Sequence, residues 1–171
     1  MLVRLQQDDD CDAVRRIYAS AFARPEGGDS VPLEVGIFDA LCKAGDALRE
    51  LSFTALEEDA VVGHVTASRA TVADDAVVAV GPIGVLPEHQ GRGIGTALMN
   101  ALLDTADDAG VPMIVLLGSP RYYSRFGFRP AEELGLISPE PQWGDAFQAR
   151  PLTAYTRAVA GPFEYAPAFS S

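Results

Sequence analysis

The chain has 171 residues, of which 48% are hydrophobic, and a formal net charge of −11. This length predicts a single domain over residues 1–171 with a sizeable core, and the charge argues against binding nucleic acid through its phosphates. No run approaches the roughly 18 apolar residues of a membrane span, and the acidic Asp8–Asp10 follow too soon for a signal peptide. We therefore expect a cytoplasmic protein without a membrane partner.

The N-terminal quarter is predicted to hold one strand and two helices. Leu2–Leu5 reads as a short strand, and Asp8–Asp10 favour a helix start because carboxylates stabilise the positive end of a helix dipole. An apolar stripe over residues 14–22 predicts a first helix to about residue 23. A second stripe over residues 33–41 predicts a helix that ends near Gly45.

Three strands are expected next, at residues 50–56, 61–68 and 77–86. In the third strand Gly81, Pro82 and Gly84 indicate a bulge, because proline cannot donate to the ladder and glycine marks close backbone approach. Such a strand leaves backbone groups open to a ligand that carries amides, such as pantetheine. A bulged edge strand with no ligand is an equally weighted alternative.

The next segment is the most informative part of the sequence: Gln90-Gly91-Arg92-Gly93-Ile94-Gly95. Its three glycines leave backbone N–H groups bare, and an amphipathic helix follows and ends at Gly110. The positive end of that helix dipole points at the turn, so the two together favour a pyrophosphate. Another buried strand, Met113–Leu117, completes a βα-type unit.

Two common phosphate-binding motifs do not fit this turn. A dinucleotide fingerprint needs a third glycine where Thr96 stands, and an acidic residue after the next strand, where Gly118 and Ser119 stand. A P-loop needs a lysine after its last glycine, and Gly95 is followed by Thr96. Both classes of nucleotide site are therefore disfavoured.

The C-terminal third gives weaker signals. Residues 126–130 and 147–152 read as strands on either side of a loop around residues 139–144. Regularly spaced aromatic residues from residue 160 onward suggest a tail packed on the body. A metal site is not expected, because the two histidines do not cluster and Cys11 and Cys42, interpreted as buried free thiols in helices, lack metal-ligand spacing.

The turn resembles the acyl-CoA signature Q/R-x-x-G-x-G/A of the Gcn5-related N-acetyltransferase (GNAT) family, present here as Gln90-x-x-Gly93-x-Gly95. The segments Ile83-x-Val85-x-Pro87 and Tyr122-Tyr123-Ser124-Arg125-Phe126-Gly127-Phe128 resemble the same family. The likeness covers residues 77–132 and points to small bacterial N-acetyltransferases. It implies an α/β fold whose central sheet is mixed, mostly antiparallel, flanked by helices, and splayed between residues 77–86 and 113–118 at the CoA site.

The resemblance further implies acetyl-CoA as the co-substrate. The residues expected to hold it are Ile83, Val85, Gln90, Gly91, Arg92, Gly93, Ile94, Gly95 and Thr96. Arg92 either pairs with a phosphate or is simply solvated, and both interpretations stay open. Many family members carry an asparagine near the position of Leu116, and this chain does not, so the resemblance does not extend to that contact with pantetheine.

The resemblance also implies a general acid. Tyr123, four residues before Gly127, matches the position that protonates the departing CoA thiolate in the family, while the alternative is a tyrosine that only packs. The general base is not evident. Its candidates are Glu57, Glu58, His64 or a water molecule, although His64 is favoured as a core residue and His89 as a solvated loop residue.

The function implied is transfer of an acetyl group from acetyl-CoA to a primary amine, by direct attack. The acceptor is a small-molecule or protein amine, and the net charge is a weak indication that it is cationic. A homodimer is expected only because the resemblance to the family implies one. Two alternatives stay open, a non-catalytic acyl-CoA-binding or sensory domain and a structural domain whose glycine turn binds nothing.

Overall fold

The computed structural model describes residues 1–169 and shows one nine-stranded sheet flanked by helices. The helices are α1 (Cys11–Ala21), α2 (Leu33–Ala44), α3 (Ile94–Asp108) and the single turn α4 (Pro120–Tyr123). The strands are β1 (Leu2–Leu5), β2 (Phe53–Glu57), β3 (Ala60–Val72), β4 (Asp75–Val85), β5 (Met113–Leu117), β6 (Arg129–Pro130), β7 (Leu136–Ile137), β8 (Phe147–Pro151) and β9 (Gly161–Tyr165). Within the described part of the chain, no helix is long and apolar enough to cross a membrane.

The strand order is β1-β2-β3-β4-β5-β8-β6, with β9 beside the far end of β3 and β7 beside β9. The pairs from β1 to β4 are antiparallel, and β4 and β5 are parallel. The predicted fold class is confirmed, since the sheet is mixed and mostly antiparallel.

The two faces of the sheet bury different helices, as the alternation of side chains along a strand requires. Val65 of β3 belongs to the core cluster that includes Leu98 and Leu102 of α3. Its neighbours His64 and Thr66 point to the opposite face, where both lie within hydrogen-bond distance of the Tyr18 hydroxyl of α1. The sheet therefore holds α3 on one side and α1 on the other.

The sheet opens between β4 and β5. Their parallel pairing runs from Val78 opposite Ile114 to Val80 opposite Leu116, and β5 ends one residue later. The strand β4 continues to Val85 and remains paired with β3 on its other edge. Residues 81–85 thus carry a sheet edge that β5 does not cover, which is the predicted splay.

Several predicted boundaries shift. Residues 49–51 form a 3₁₀ turn, so β2 begins at Phe53 and not at residue 50, while β3 is longer than predicted and runs to Val72. The strand predicted at residues 126–130 shrinks to Arg129–Pro130, because a 3₁₀ turn over Ser124–Phe126 ends at Gly127 with φ of +84°.

The aromatic tail packs on the body, as predicted, through β9. Phe163 is buried, and the rings of Tyr165 and Phe169 stack at 4.0 Å. Residues 170 and 171, the last of the predicted tail, lie outside the described part of the chain. Cys11 and Cys42 are both free and helical, but they are half-buried, not fully buried as predicted, because each packs against the rim of the core cluster around Tyr18.

Candidate active site

The glycine turn has the backbone geometry of an anion site. Gly91 and Gly93 have φ of +72° and +82°, in the left-handed region that favours glycine, and Gly93 caps α3. The first intrahelical bond runs from the Ala97 N–H to the Gly93 carbonyl at 3.0 Å. The N–H groups of residues 94–96 therefore have no partner within the helix and point along its positive dipole end.

A cavity of about 360 Å³ lies over this turn. Seven of the predicted cofactor residues line it: Val85, Gln90, Gly91, Gly93, Ile94, Gly95 and Thr96. Gln90 is held in place by a bond from its side-chain Nε2 to the Val85 carbonyl, at 3.0 Å. An aromatic and a basic residue that the motif did not select, Tyr122 and Arg125, close the other side.

The cation at this cavity is Arg125, whereas Arg92 lies on the far side of the turn. The Arg92 guanidinium is 3.3 Å from the Glu57 carboxylate, which also accepts a bond from His89 at 2.6 Å. That hydrogen bond from His89 lowers the pKa of Glu57. Arg125 lies 4.5 Å above the ring of Tyr122 and is positioned where a phosphate over the turn would meet a positive charge.

The uncovered edge of β4 forms the wall of a second cavity, of about 280 Å³. Ile83, Gly84 and Val85 line it, and Phe22 at the end of α1 faces them. This cavity and the one over the turn share four lining residues: Val85, Gln90, Gly95 and Tyr122. The two therefore form one continuous cleft, which leads from the helix N-terminus along β4.

A third cavity, of about 490 Å³, continues the cleft past the end of β5. It shares Phe22, Ile83 and Tyr123 with the second cavity. Its remaining wall is largely aromatic and aliphatic, and Glu34 is the charged residue among those that line it. Tyr123 thus stands where the cleft along β4 meets a separate apolar chamber.

Local packing fixes the ring of Tyr123 at this junction. The ring lies 6.0 Å from that of Phe128 and sits so close to Gly118 that a β-carbon there would come within 2.4 Å of it. Burial, and to a lesser degree Tyr122, raise the pKa of Tyr123 to about 12, so the phenol stays protonated at neutral pH. Within residues 1–169 its hydroxyl has no hydrogen-bond partner and is open to the cleft.

The two adjacent tyrosines both line the cavity along β4, but Tyr122 also reaches the cavity over the turn and Tyr123 the apolar chamber. Their rings are perpendicular, with centroids 4.9 Å apart. The Tyr122 hydroxyl lies over Gly95, 3.0 Å from where a β-carbon would be, and so belongs to the cavity above the turn. Of the two, Tyr123 is the one that stands at the junction with the apolar chamber.

The structure does not bring the three predicted base candidates to Tyr123. Glu57 and Glu58 line another cavity, together with Arg92. His64 is fully buried, with its Nδ1 2.7 Å from the Tyr18 hydroxyl and its Nε2 2.8 Å from Gln6 Oε1. Burial lowers the pKa of His64 to about 3, so it is a neutral core residue, which was the favoured interpretation. His89 is not simply solvated, because it is bonded to Glu57.

Sequence reasoning missed the residues that build the third cavity. Phe22, Glu34, Trp143 and Tyr165 come from four distant segments and have no common motif. The only available signal was the run of aromatic residues in the tail, which indicated packing but not what the tail packs around.

The class of protein follows from this fold and cleft together with the comparison to known families. A profile described as the Acetyltransferase (GNAT) family matches residues 11–128, more than half of the chain. The chain therefore belongs to the GNAT family of acetyltransferases.

The chain is similar to two N-acetyltransferases of Escherichia coli K12. YhbS, described as an uncharacterized N-acetyltransferase, is 34% identical over 122 residues, which span 67% of this chain and 73% of that protein. YjhQ, described in the same words, is 29% identical over 137 residues, which span 77% of this chain and 72% of that protein.

Solved structures agree on the fold. The E. coli YhbS structure, a complex with CoA, has a TM-score of 0.88 and 26% identity, covering 99% of this chain and 92% of that chain. A GNAT family acetyltransferase from Brucella melitensis, in complex with acetyl-CoA, has a TM-score of 0.77 and 30% identity, covering 98% of this chain and 97% of that chain.

Proposed function

We propose that this chain is an N-acetyltransferase that moves the acetyl group of acetyl-CoA to a primary amine. The observation that carries the proposal is the continuous cleft, in which Tyr123 separates the cavities along the glycine turn and β4 from an apolar chamber. Two chemically different substrates need two such compartments that meet at one point. The CoA and acetyl-CoA held by the YhbS and Brucella melitensis proteins support the assignment of the first compartment.

The cofactor is proposed to lie with its pyrophosphate on the N-terminus of α3 and its pantetheine along β4. The bare N–H groups of residues 94–96 and the Arg125 guanidinium are suited to phosphate oxygens. The amides of pantetheine can pair with the strand edge at residues 81–85, which β5 leaves uncovered. Eight of the nine predicted residues line the cleft and are assigned to this site: Ile83, Val85, Gln90, Gly91, Gly93, Ile94, Gly95 and Thr96. The ninth, Arg92, pairs with Glu57 on the far side of the turn and is not assigned to it.

The transfer is proposed to proceed by direct attack. The neutral amine nitrogen bonds to the thioester carbonyl carbon, and the carbon–sulfur bond breaks. The Tyr123 hydroxyl gives its proton to the departing thiolate, and the nitrogen releases one proton to solvent, from which the phenolate is reprotonated. The products are an N-acetyl amide and CoA with a free thiol.

Replacing Tyr123 with phenylalanine tests this role. The ring that packs on Gly118 remains, and only the proton donor is lost, so we expect kcat to fall by about a hundredfold. The dissociation constant of acetyl-CoA, measured by isothermal titration, should change by less than about threefold. Release of CoA thiol and the mass of the acetylated amine report turnover.

Tyr122→Phe is the matched control, because it removes a neighbouring hydroxyl that lies over Gly95 instead of at the junction. It should affect acetyl-CoA binding more than kcat. Unchanged kcat in Tyr123→Phe would refute the general-acid role. Tight acetyl-CoA binding with no acetylation of any amine would favour the alternative, a non-catalytic acyl-CoA-binding domain.

A further inference from the structure

The apolar chamber beyond Tyr123 has the properties of a small-molecule site. Its volume of about 490 Å³ lies within the range of roughly 300–1,000 Å³ that is typical of such sites. Four aromatic side chains besides Tyr123 line it: Phe22, Trp143, Tyr165 and Phe169. Leu33, Ile37 and Pro82 add aliphatic surface. An acceptor that fills this space must bring apolar area, because a strongly polar one would lose its hydration without replacement hydrogen bonds.

The aromatic rings hold one another in fixed positions. Tyr165 stacks on Phe169 at 4.0 Å with an interplanar angle of 6°, and Trp143 meets Tyr165 edge-on at 6.2 Å. Such rings form flat walls that suit a planar aromatic group, in offset or edge-to-face contact. The chamber is therefore shaped for a ring and not only for an aliphatic chain.

Glu34 places a negative charge at the edge of the chamber. It stands in the first turn of α2 and is partly buried. Within residues 1–169 its carboxylate has no hydrogen-bond or ion-pair partner, although Arg24 lines a neighbouring cavity that also reaches Glu34. An unpaired carboxylate at the edge of an apolar chamber attracts a cation and repels a carboxylate.

We infer that the acceptor is a small arylalkylamine, a cationic primary amine that carries an aromatic group and no carboxylate. The inference rests on the proposed function and names the substrate class of that site. The ring fills the chamber, Glu34 attracts the ammonium form that predominates at neutral pH, and the amine loses its proton to solvent before it attacks at Tyr123. Glu34 is thus a specificity-determining residue.

The test is steady-state acetylation of a panel of amines by the full chain, with acetyl-CoA saturating. We expect kcat/KM for 2-phenylethylamine to exceed that for ethanolamine, spermidine or a lysine-containing peptide by at least about tenfold. Phenylalanine adds only a carboxylate to 2-phenylethylamine and should have a KM about tenfold higher. A polar amine or a peptide amine with the higher kcat/KM overturns the inference.

Two variants separate the charge from the shape of the chamber. Glu34→Gln should raise KM for 2-phenylethylamine by about three- to tenfold with little change in kcat, and should narrow the discrimination against phenylalanine. The aromatic amine 4-methylaniline is uncharged at neutral pH, so its KM should not change. Trp143→Leu should reduce the preference for 2-phenylethylamine over butylamine. Glu132 is an exposed carboxylate outside the chamber, so Glu132→Gln is the matched control. It should change neither the KM for 2-phenylethylamine nor the preference for 2-phenylethylamine over butylamine.

The outcomes distinguish this inference from the proposed function. If acetyl-CoA does not bind and no amine is acetylated, the proposed function fails. If acetyl-CoA binds but 2-phenylethylamine is not acetylated, or if Glu34→Gln leaves the KM values of 2-phenylethylamine and phenylalanine unchanged, only the arylalkylamine inference fails. Thermal unfolding of each variant, which should match that of the parent chain within a few degrees, excludes misfolding as the cause.

Discussion

His64 shows how a residue type that often does chemistry can serve the core instead. Its ring is buried between Tyr18 and Phe38, with centroid distances of 5.6 Å to each. The Tyr18 hydroxyl that contacts it also donates to the Pro82 carbonyl at 2.8 Å, at the strand edge that forms the cofactor cleft. The network therefore ties α1 to the open segment of β4, and its loss would disturb the cleft without removing a catalyst.

The buried state of His64 predicts an acid-sensitive fold. Its pKa is lowered to about 3 in the folded chain from 6.5, so between these values the unfolded chain binds a proton that the folded chain does not. Stability is therefore full above pH 6.5 and decreases as the pH falls. We expect the free energy of unfolding to decrease by about 2 kcal/mol between pH 7 and pH 5, as measured by urea denaturation.

His64→Gln is the comparison that isolates this effect, because glutamine keeps a donor and an acceptor but does not titrate. Asp10 titrates below the chosen range, since the pKa of this carboxyl, held by Arg4, is lowered from 3.8. Between pH 7 and pH 5, the free energy of unfolding of His64→Gln should therefore decrease much less than that of the parent chain. Equal slopes in the two proteins would show that His64 is already protonated or accessible in the folded state.

The Tyr123 site shows what a motif can and cannot predict about a residue. The resemblance located the tyrosine by its spacing from Gly127, because that spacing is local. Its position at the junction depends on Gly118 at the end of β5 and on Phe128, which only the folded chain brings against the ring. Glu34 has no motif at all, and its role follows only from the chamber.

At the scale of elements, α3 is the helix on which the cofactor assignment depends. It has a left-handed glycine at each end, Gly93 with φ of +82° before it and Gly110 with φ of +77° after it. A β-carbon at either position would meet nothing within 4 Å. The two positions therefore have the same backbone requirement, and only Gly93 lines the cavity over the turn.

Alanine at these two positions separates strain from binding. Each substitution should destabilise the fold by about 1–2 kcal/mol, because L-residues are disfavoured in the left-handed region. Gly93→Ala should also weaken acetyl-CoA binding by at least about tenfold, as a methyl group enters the phosphate cavity, while Gly110→Ala leaves affinity unchanged. Isothermal titration of both variants checks this. Similar losses of affinity in both would mean that the turn contributes only through helix stability.

The elements up to β5 were predictable because each shows a strong local periodicity of apolar residues and ends at a recognisable turn residue. The C-terminal third was not, since its strands are short and paired over long distances. The strand β9 pairs with β3, opposite residues 70–72, and no local pattern specifies that register. The strand predicted at residues 126–130 is shortened to Arg129–Pro130, because the turn that ends at Gly127 outweighs the apolar residues around it.

At the scale of the whole molecule, function depends on how the sheet opens. The splay between β4 and β5 gives the cleft its wall, α3 gives it a positive end, and the C-terminal segments close the chamber beyond Tyr123. The net charge of −11 opposes an anionic cofactor, so the local donors of the turn and Arg125 must outweigh it. The acidic surface at the same time favours a cationic acceptor.

The most direct test of this account is isothermal titration of the full chain with acetyl-CoA, with ATP and NAD as controls. The cleft along β4 predicts saturable binding of acetyl-CoA with one site per chain, and binding of ATP and NAD at least about a hundredfold weaker, because neither carries pantetheine. Equal affinity for the three ligands would mean that the turn binds phosphates only and that the cleft along β4 does not recognise pantetheine. No binding of acetyl-CoA would contradict the account as a whole.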